Sequence, residues 1–439
     1  PLGKRGSTID YASPQCSLLS NGAYNIMLTE SGICSASCSD TLIYRAPSKP
    51  IGEGHGAEIT LTHGGKVRSL LPSPIESGAY MWEFSEISAE FSCVYDEFTA
   101  RTSVAVSGAE NGEARTVSVF AKSDIDSAIL EFSFEAVLAD ASDYVNHPAY
   151  WRLGIEARRD QNCITLHRLP RGNQAECWLC LACDKPMAAK AGGSSEDGFL
   201  SYPTVAAAVP LSLKAGEKLD VRFALCLADT PEGAYSGAQH MLAMGPAEYG
   251  AMVSACASVT HMSSRELGGA MDMLQSLWFG GSHTQLPAKS SLWRCSISGD
   301  LPIICCKDDG NVVSVTKQFC LLRSCGVYAD LVFLTDEGGE YRRPVYSKVR
   351  DTLASHGLEA LIGTHAGVRL LPTEDAELIE SAASFIVGED AHSRRFENAP
   401  RVFAQRIRIG ASSVRNEYDD GSFSFYVNRS LPSRVWSSI

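Results

Sequence analysis

Apolar and polar residues alternate along much of the chain between residue 16 and about residue 229. Within residues 219–225, for example, Leu219, Val221 and Phe223 alternate with Asp220 and Arg222. A period of two places one set of side chains on each face of a strand. Gly, Pro, Asn and Asp interrupt these runs at short intervals, as turns require. Short antiparallel strands with frequent turns predict a large β-sandwich over residues 1–230.

The period changes after residue 230, where apolar residues recur at helical spacing. The predicted helices are residues 231–243, 247–258 and 266–279. Pro231 suits the first turn of a helix, and Gly280 is expected to end the last of the three. Residues 231–295 are therefore predicted to form a helical linker packed on the sandwich.

Residues 296–390 alternate short apolar runs with helical segments. The predicted strands are residues 302–306, 330–334 and 367–371, and the predicted helices are residues 312–324, 343–355 and 373 to about 387. Thr373 is expected to be the N-cap of the last helix. This βαβαβα order with nearly continuous apolar strands predicts a small parallel sheet. The tail, residues 391–439, is predicted to be extended and to lead toward a following domain, with a strand near residues 402–409 and a turn at 418–423.

Composition indicates a globular chain with an acidic surface. Hydrophobic residues make up 45% of the chain, charged residues 20%, and the formal net charge is −13. Nucleic acids and anionic membranes require a basic face, so we expect neither as a partner. No apolar run is long enough to span a bilayer. The first residues lack both an initiator Met and a signal-peptide pattern, which favours a fragment or a trimmed chain.

The cysteines are numerous, but their pattern does not indicate a disulfide framework. There are 15, an odd number, and they lie inside apolar strings such as residues 303–306. They are predicted to be buried, reduced thiols, which favours a cytoplasmic protein. Cys177, Cys180 and Cys183 have a spacing seen in metal sites. In a strand, however, Cys177 and Cys180 point to opposite faces, so no metal site is predicted.

Candidate functional residues can each be interpreted in two ways. Asp300 is either a carboxylate that binds a sugar or one that accepts backbone N–H groups in a turn. His147 is either a general base or a hydrogen-bonded residue of a turn. Residues 52–56 are rich in Gly but lack the flanking strand and helix of a phosphate loop.

Aromatic residues and carboxylates leave two further possibilities open. Tyr80, Trp82, Tyr150 and Trp151 either stack on sugar rings or belong to the sandwich core. A glycosidase pair among the many carboxylates requires a separation that sequence does not reveal.

Five strings, in order, resemble the N-terminal half of the cyclic β-1,2-glucan synthase and glycoside phosphorylase family, which includes 1,2-β-oligoglucan and cellobiose phosphorylases. They are residues 18–29, 146–150, 213–217, 296–303 and 418–436. Residues 296–303, with the sequence Ser-Ile-Ser-Gly-Asp-Leu-Pro-Ile, are the most specific of the five. The chain departs from the family pattern at residues 33–37 and 304–326, where ligand contacts are therefore not carried over.

The resemblance implies an N-terminal, non-catalytic part of a cytosolic enzyme that acts on β-glucans. In such enzymes an α/α-barrel after a second sandwich holds the catalytic acid, and inorganic phosphate attacks with inversion to give α-glucose 1-phosphate. The chain has no positions for that acid or for the phosphate site, so no catalytic residue, metal or cofactor is expected. Candidate carbohydrate-binding residues are Asp300, His147, Tyr150 and Trp151.

The expected partners are a β-glucan oligosaccharide and the catalytic barrel half of the same enzyme, with inorganic phosphate as that enzyme's co-substrate. Oligomeric state stays open between a monomer and a homodimer. Two alternatives are a free-standing carbohydrate-binding sandwich and a glycoside hydrolase with its own carboxylate pair.

Overall fold

The structure is a computed structural model, and it describes most of the chain. The described residues are 4–47, 55–72, 79–85, 87–160, 162–170, 176–192, 196–244, 262–280, 286–307, 311–337, 343–388, 401 and 403. The predicted helix at 247–258, residues 52–54 of the Gly-rich string, and the predicted strand and turn of the tail lie outside these residues. Among the described helices, none combines the length and the apolar character needed to cross a membrane.

The described strands up to residue 228 form two large antiparallel sheets. In chain order they are β1 (Lys4–Gly6), β2 (Cys16–Ser20), β3 (Tyr24–Thr29), β4 (Cys34–Cys38), β5 (Thr41–Tyr44), β6 (Ala57–His63), β7 (Lys66–Ser69), β8 (Ala79–Phe84), β9 (Ala89–Val94), β10 (Phe98–Val106), β11 (Gly112–Ala121), β12 (Ile125–Asp140), β13 (Ile155–Asp160), β14 (Cys163–Arg168), β15 (Cys177–Cys183), β16 (Ala188–Ala191), β17 (Gly198–Phe199), β18 (Thr204–Leu213) and β19 (Lys218–Ala228).

The two sheets differ in how their strands connect. The first has ten strands in the order β1-β8-β9-β10-β11-β19-β15-β14-β13-β17. The second has nine and follows β16-β18-β12-β5-β4-β3-β2, with β6 and β7 attached beside β12. The 16-residue β12 is long enough to pair with β18 on one side and with both β6 and β5 on the other.

One hydrophobic core lies between the two sheets and confirms the predicted sandwich. It combines inward residues of the first sheet, such as Phe91 and Val221, with inward residues of the second, such as Leu130 and Phe132. Along β8 buried and exposed residues alternate strictly, as expected for a strand with one face toward the core and one toward solvent. Burial of alternate apolar side chains on both sheets is therefore what holds the sandwich together.

The Ser-Asn-Gly string forms the turn between β2 and β3. The Asn21 side-chain oxygen accepts the backbone N–H groups of Ala23 and Tyr24, at 2.9 and 2.7 Å. Its amide nitrogen donates to the carbonyl oxygens of Ser107 and Glu110, at 2.8 and 2.9 Å. Asn21 therefore closes its own turn and joins it to the β10–β11 turn of the other sheet. Gly22 has a φ of 89°, a conformation that favours glycine at this position.

The helices pack on the outside of the sandwich and beside it. They are α1 (Ala141–Asn146), α2 (Pro148–Trp151), α3 (Pro231–Ala243), α4 (Ser264–Phe279), α5 (Lys289–Leu292), α6 (Val312–Ser324), α7 (Pro344–Ser355) and α8 (Ala376–Ala382). Helix α3 begins with Pro231 as predicted and is capped by the Thr230 side chain. It covers small residues on the outer face of the first sheet, including Cys180 and Cys226.

Helix α4 links the sandwich to the region that follows it. It starts with a capping box formed by Ser263 and Glu266, and Gly280 is its C-cap as predicted. Its buried residues share a second core with Leu18 and Ile33 of the sandwich and with α6 and α7. The sandwich and the parallel sheet therefore share this second core, in addition to the core that each has of its own.

The small parallel sheet is confirmed, with one more strand than predicted. Its strands are β20 (Ile303–Cys306), β21 (Asp330–Leu334), β22 (Val368–Leu371) and β23 (Phe385–Ile386), in the order β22-β21-β20-β23. Every pair is parallel. Helix α6 has the predicted bounds and α7 begins one residue after its predicted start.

The last predicted helix was too long and its predicted cap was wrong. Helix α8 ends at Ala382, because the following residues pair with β20 and form β23. Its first turn is a 3₁₀ turn at Thr373–Asp375, and Asp375 is the residue before the α-helix. The Thr373 hydroxyl instead donates to the Asp336 carboxylate at 2.6 Å.

Candidate functional site

Three of the four candidate sugar-binding residues lie in a helical insertion, residues 141–151, between β12 and β13. Asp140 caps α1, accepting the backbone N–H groups of Ser142 and Asp143. His147 ends α1 and begins α2, and its side chain makes no capping hydrogen bond. The period-two pattern did not predict these helices, and the predicted turn at His147 is a junction between them.

A buried arginine anchors the helical insertion to the sheet. The Arg168 side chain is fully buried, and its guanidinium donates to the carbonyl oxygens of Val137, Leu138, Trp151 and Leu153. The Leu138 contact measures 2.8 Å and the Trp151 contact 2.6 Å. Arg168 therefore ties both ends of the insertion to β14, on which it lies.

Most of the candidate aromatic residues are core residues. Trp151 is fully buried and packs with Leu42, Val137 and Tyr144. Tyr80 and Trp82 are also buried, in the core between the sheets. Their rings are covered by protein, so the sugar-stacking interpretation is wrong for these three. Tyr150 is partly buried, with its ring edge against Trp151 at a centroid distance of 5.4 Å.

Asp300 lies far along the chain from the helical insertion, in the turn before β20. Its carboxylate accepts from the Lys289 ammonium at 2.9 Å, and its backbone N–H donates to the Ser298 hydroxyl at 3.3 Å. The turn uses positive φ at Ser296 (58°) and Gly299 (74°). The structure therefore places Asp300 in an ion pair with Lys289 of α5. The other three candidates lie on the helical insertion.

A row of side chains that the sequence did not single out crosses the outer face of the first sheet next to the insertion. Strand register puts Phe199 of β17 opposite Glu156 of β13, Glu156 opposite His167 of β14, and His167 opposite Trp178 of β15. Opposite residues in antiparallel strands point to the same face. We call these four residues the outer row.

At the middle of the outer row, the His167 imidazole stacks on an aromatic ring and lies between two carboxylates. The His167 ring stacks on the Trp178 ring at 4.3 Å between centroids with an interplanar angle of 5°. Its Nε2 lies 3.1 Å from a Glu176 oxygen, and its Nδ1 lies 3.7 Å from a Glu156 oxygen. Phe199 at the end of the row is 66% exposed. The row thus offers aromatic surface and hydrogen-bonding groups side by side.

The strongest buried charge network of the sandwich is structural. Glu113 and Arg115 are both buried between the sheets, with Arg115 Nε 2.7 Å from a Glu113 oxygen. The hydroxyls of Tyr24 and Tyr44 donate to the other Glu113 oxygen at 2.9 and 2.8 Å. These four side chains satisfy one another inside the core, where a substrate does not reach them.

One buried carboxylate has a pKa near neutrality. Burial raises the pKa of Glu30 to about 7, although its oxygens accept the backbone N–H groups of Asp10 and Gln15. Shifted carboxylates are common in active sites. Here both oxygens bind the backbone of residues 10–15, so Glu30 holds the segment that precedes β2.

Within the described ranges the cysteines are buried, as expected from their apolar surroundings. On β15, Cys177 and Cys183 face the core between the sheets, whereas Cys180 faces α3. Burial raises the pKa of the Cys177 thiol to about 12, which keeps it protonated at neutral pH. The described residues contain no cluster of three or more His, Cys, Asp or Glu side chains that fits a metal ion.

Comparison with known proteins shows what the sandwich region is similar to. Residues 4–191 match the family model described as "Glycosyl hydrolase 94, supersandwich domain". The cyclic beta-(1,2)-glucan synthase NdvB of Rhizobium meliloti (strain 1021) is 24% identical over 379 residues. That alignment covers 74% of this chain but only 13% of the synthase, so the chain spans a small part of this curated relative.

Solved structures resemble the chain more distantly. A bacterial glucoamylase complexed with acarbose has a TM-score of 0.37 at 9% identity, over 64% of this chain and 42% of its own. A putative kojibiose phosphorylase from the human microbiome has a TM-score of 0.32 at 9% identity, over 71% of this chain and 43% of its own.

Proposed function

We propose that the chain is an N-terminal, non-catalytic part of an enzyme that acts on β-1,2-glucans, because residues 4–191 match the model of the glycosyl hydrolase 94 supersandwich domain. Its task is to support and shape the substrate cleft of a catalytic α/α-barrel half, which is its partner. In that enzyme inorganic phosphate is the co-substrate and α-glucose 1-phosphate the product. The observation that carries the proposal is the family match, and the alignment with a β-1,2-glucan synthase supports the choice of linkage.

The shared core supports the scaffold role. Helix α4 packs on β2 of the sandwich with one side and on α6 with another, and Trp278 and Phe279 at its end are fully buried. Continuous packing across α4 makes a stiff unit, since close-packed interiors resist deformation. A stiff unit holds the edge of a substrate cleft in place better than two domains joined by a flexible linker.

The arrangement of the carboxylates favours a non-catalytic role over a hydrolase. Catalytic glycosidase carboxylates face each other across the scissile bond. Glu156 of the outer row and the neighbouring Glu176 instead flank one imidazole and each contacts it. Glu113 is enclosed in the core and Asp300 is paired with Lys289. Cysteines buried in apolar surroundings are typical of reduced thiols, so we propose the cytoplasm.

The test is a product assay on the 439-residue chain. The purified chain is incubated with β-1,2-gluco-oligosaccharides, once with inorganic phosphate and once without. We expect neither α-glucose 1-phosphate in the first reaction nor new reducing sugar in the second. Formation of either product at a rate above that of the heat-denatured chain would show an active site within this chain and overturn the proposal.

A further inference from the structure

The outer row crosses four neighbouring strands on one face of the first sheet. Four strands in succession, β17, β13, β14 and β15, each contribute one side chain at matching register. With about 4.8 Å between neighbouring strands, the row is roughly 14 Å long from Phe199 to Trp178. It is therefore long enough for more than one sugar ring of an extended oligosaccharide.

The end of the row at Phe199 exposes an apolar ring beside a carboxylate. Phe199 is 66% exposed on a two-residue edge strand, and its direct neighbour across the sheet is Glu156. The Glu156 side chain is 24% exposed, which leaves part of its carboxylate open to solvent. An aromatic face and an adjacent carboxylate match the two surfaces of a pyranose, the apolar C–H face and the hydroxyl edge.

The rest of the row fixes these groups in place. The stack on Trp178 orients the His167 ring, and Trp178 itself packs against the cluster beneath α3. Glu156 and Glu176 approach the two ring nitrogens of His167 from either side. Polar groups that are held before a ligand arrives lose little freedom when it binds.

The carboxylates around His167 favour a neutral, hydroxyl-rich ligand. Two carboxylates around one imidazole give the row more acceptors than donors, and the whole chain carries a formal charge of −13. The two carboxylates disfavour anions such as phosphate esters beside His167, although Arg158 lies on the same face of β13 as Glu156. Sugar hydroxyls, in contrast, donate readily to carboxylates, and such charge-assisted hydrogen bonds are the stronger kind.

From these observations we propose that the outer row, with Glu176, is a binding surface for a gluco-oligosaccharide, in which Phe199 stacks on a sugar ring and Glu156 accepts from its hydroxyls. The choice of a glucan rests on the proposed function. The site is separate from the residues that the sequence predicted, because His147, Tyr150 and Trp151 lie on the helical insertion and Asp300 lies before β20.

The test compares four forms of the full 439-residue chain by calorimetric titration with a β-1,2-gluco-oligosaccharide. They are the unsubstituted chain, Phe199→Ala, Glu156→Gln and the control Phe120→Ala. Phe120 is a matched control because it is 44% exposed on the same outer face, on β11 between Thr99 and Lys218. Thermal unfolding of each variant verifies that the fold is retained.

We expect Phe199→Ala to weaken binding about tenfold and Glu156→Gln about fivefold, with no change for Phe120→Ala. Equal affinity of all four forms would overturn the proposal, since the sugar would then bind elsewhere. Absence of binding by the unsubstituted chain would also overturn it, while leaving the non-catalytic role intact. Product formation would instead contradict the proposed function, so the two failures are distinguishable.

Discussion

Replacing Arg168 tests whether a single buried guanidinium holds the helical insertion in place. Arg168 lies at the end of β14 and donates to four carbonyl oxygens on the two chain segments that flank α1 and α2. Arg168→Met keeps much of the apolar volume of the side chain but removes every donor. Arg168→Lys keeps a positive charge but lacks the planar fork that reaches several acceptors at once.

The expected magnitude follows from the groups left without a partner. An unsatisfied buried polar group costs about 1–3 kcal/mol, and four carbonyls lose their donor together. Local relaxation and entry of water recover part of this cost, so we expect Arg168→Met to lose about 3–5 kcal/mol. Arg168→Lys should fall between this variant and the unsubstituted chain.

Hydrogen exchange at residues 141–151 is the suitable assay, because it reports the free energy of local opening. Arg101→Met is the matched control, since Arg101 is an exposed arginine on the same sheet whose side chain pairs with Glu90. Its effect should stay within about 0.5 kcal/mol. A change of less than about 1 kcal/mol for Arg168→Met would refute the anchoring role.

Three further predictions test other parts of the structure. Burial raises the pKa of Glu30 from 4.5 to about 7, so the folded chain binds more protons than the unfolded chain between those pH values. The free energy of unfolding should therefore fall by about 3 kcal/mol as pH rises across this window. Glu30→Gln should flatten that pH dependence, measured by urea titrations at several pH values. A Cβ at Gly237 would lie 2.5 Å from the Cys226 sulfur, so Gly237→Ala should lower the free energy of opening of α3 by about 1–3 kcal/mol in hydrogen exchange. Gly268 has open space around it, so Gly268→Ala should stabilise α4 by up to about 1 kcal/mol. A stabilising Gly237→Ala together with a destabilising Gly268→Ala would contradict the packing. Trp278→Ala should lower the free energy of unfolding by about 3–5 kcal/mol and reduce the hydrogen-exchange protection of β2 and α6 together. Loss of protection confined to one of these two elements would argue against a shared core.

Local patterns were sufficient to predict most of the architecture. The alternation in residues 219–225 corresponds to β19, and the apolar run at 330–334 corresponds to β21. These predictions succeeded because a strand with one buried face, or a helix with one buried stripe, must show that period in its sequence. Helix α8 shows the limit, because pairing of Phe385 and Ile386 with β20 overrides a helical pattern.

The candidate site depended on contacts between distant residues, which local patterns do not encode. The sequence left Trp151 open between a sugar-stacking residue and a core residue, and only the structure shows that Leu42 and Val137 enclose it. The outer row brings together residues 156, 167, 178 and 199, and only strand register aligns them. The sequence did contain one indication, since Glu156 and His167 each stand at the polar position of an alternating run.

The central claim is that this chain is a non-catalytic part of an enzyme that acts on β-1,2-glucans. The most direct measurement is a titration of the unsubstituted chain with a β-1,2-gluco-oligosaccharide in the presence of inorganic phosphate, followed by analysis of the same sample for α-glucose 1-phosphate and for shortened sugars. We predict saturable binding with the oligosaccharide recovered intact. Shortened sugar or sugar phosphate in that sample would contradict the claim, whereas an absence of any binding would contradict only the proposed glucan-binding role of the outer row.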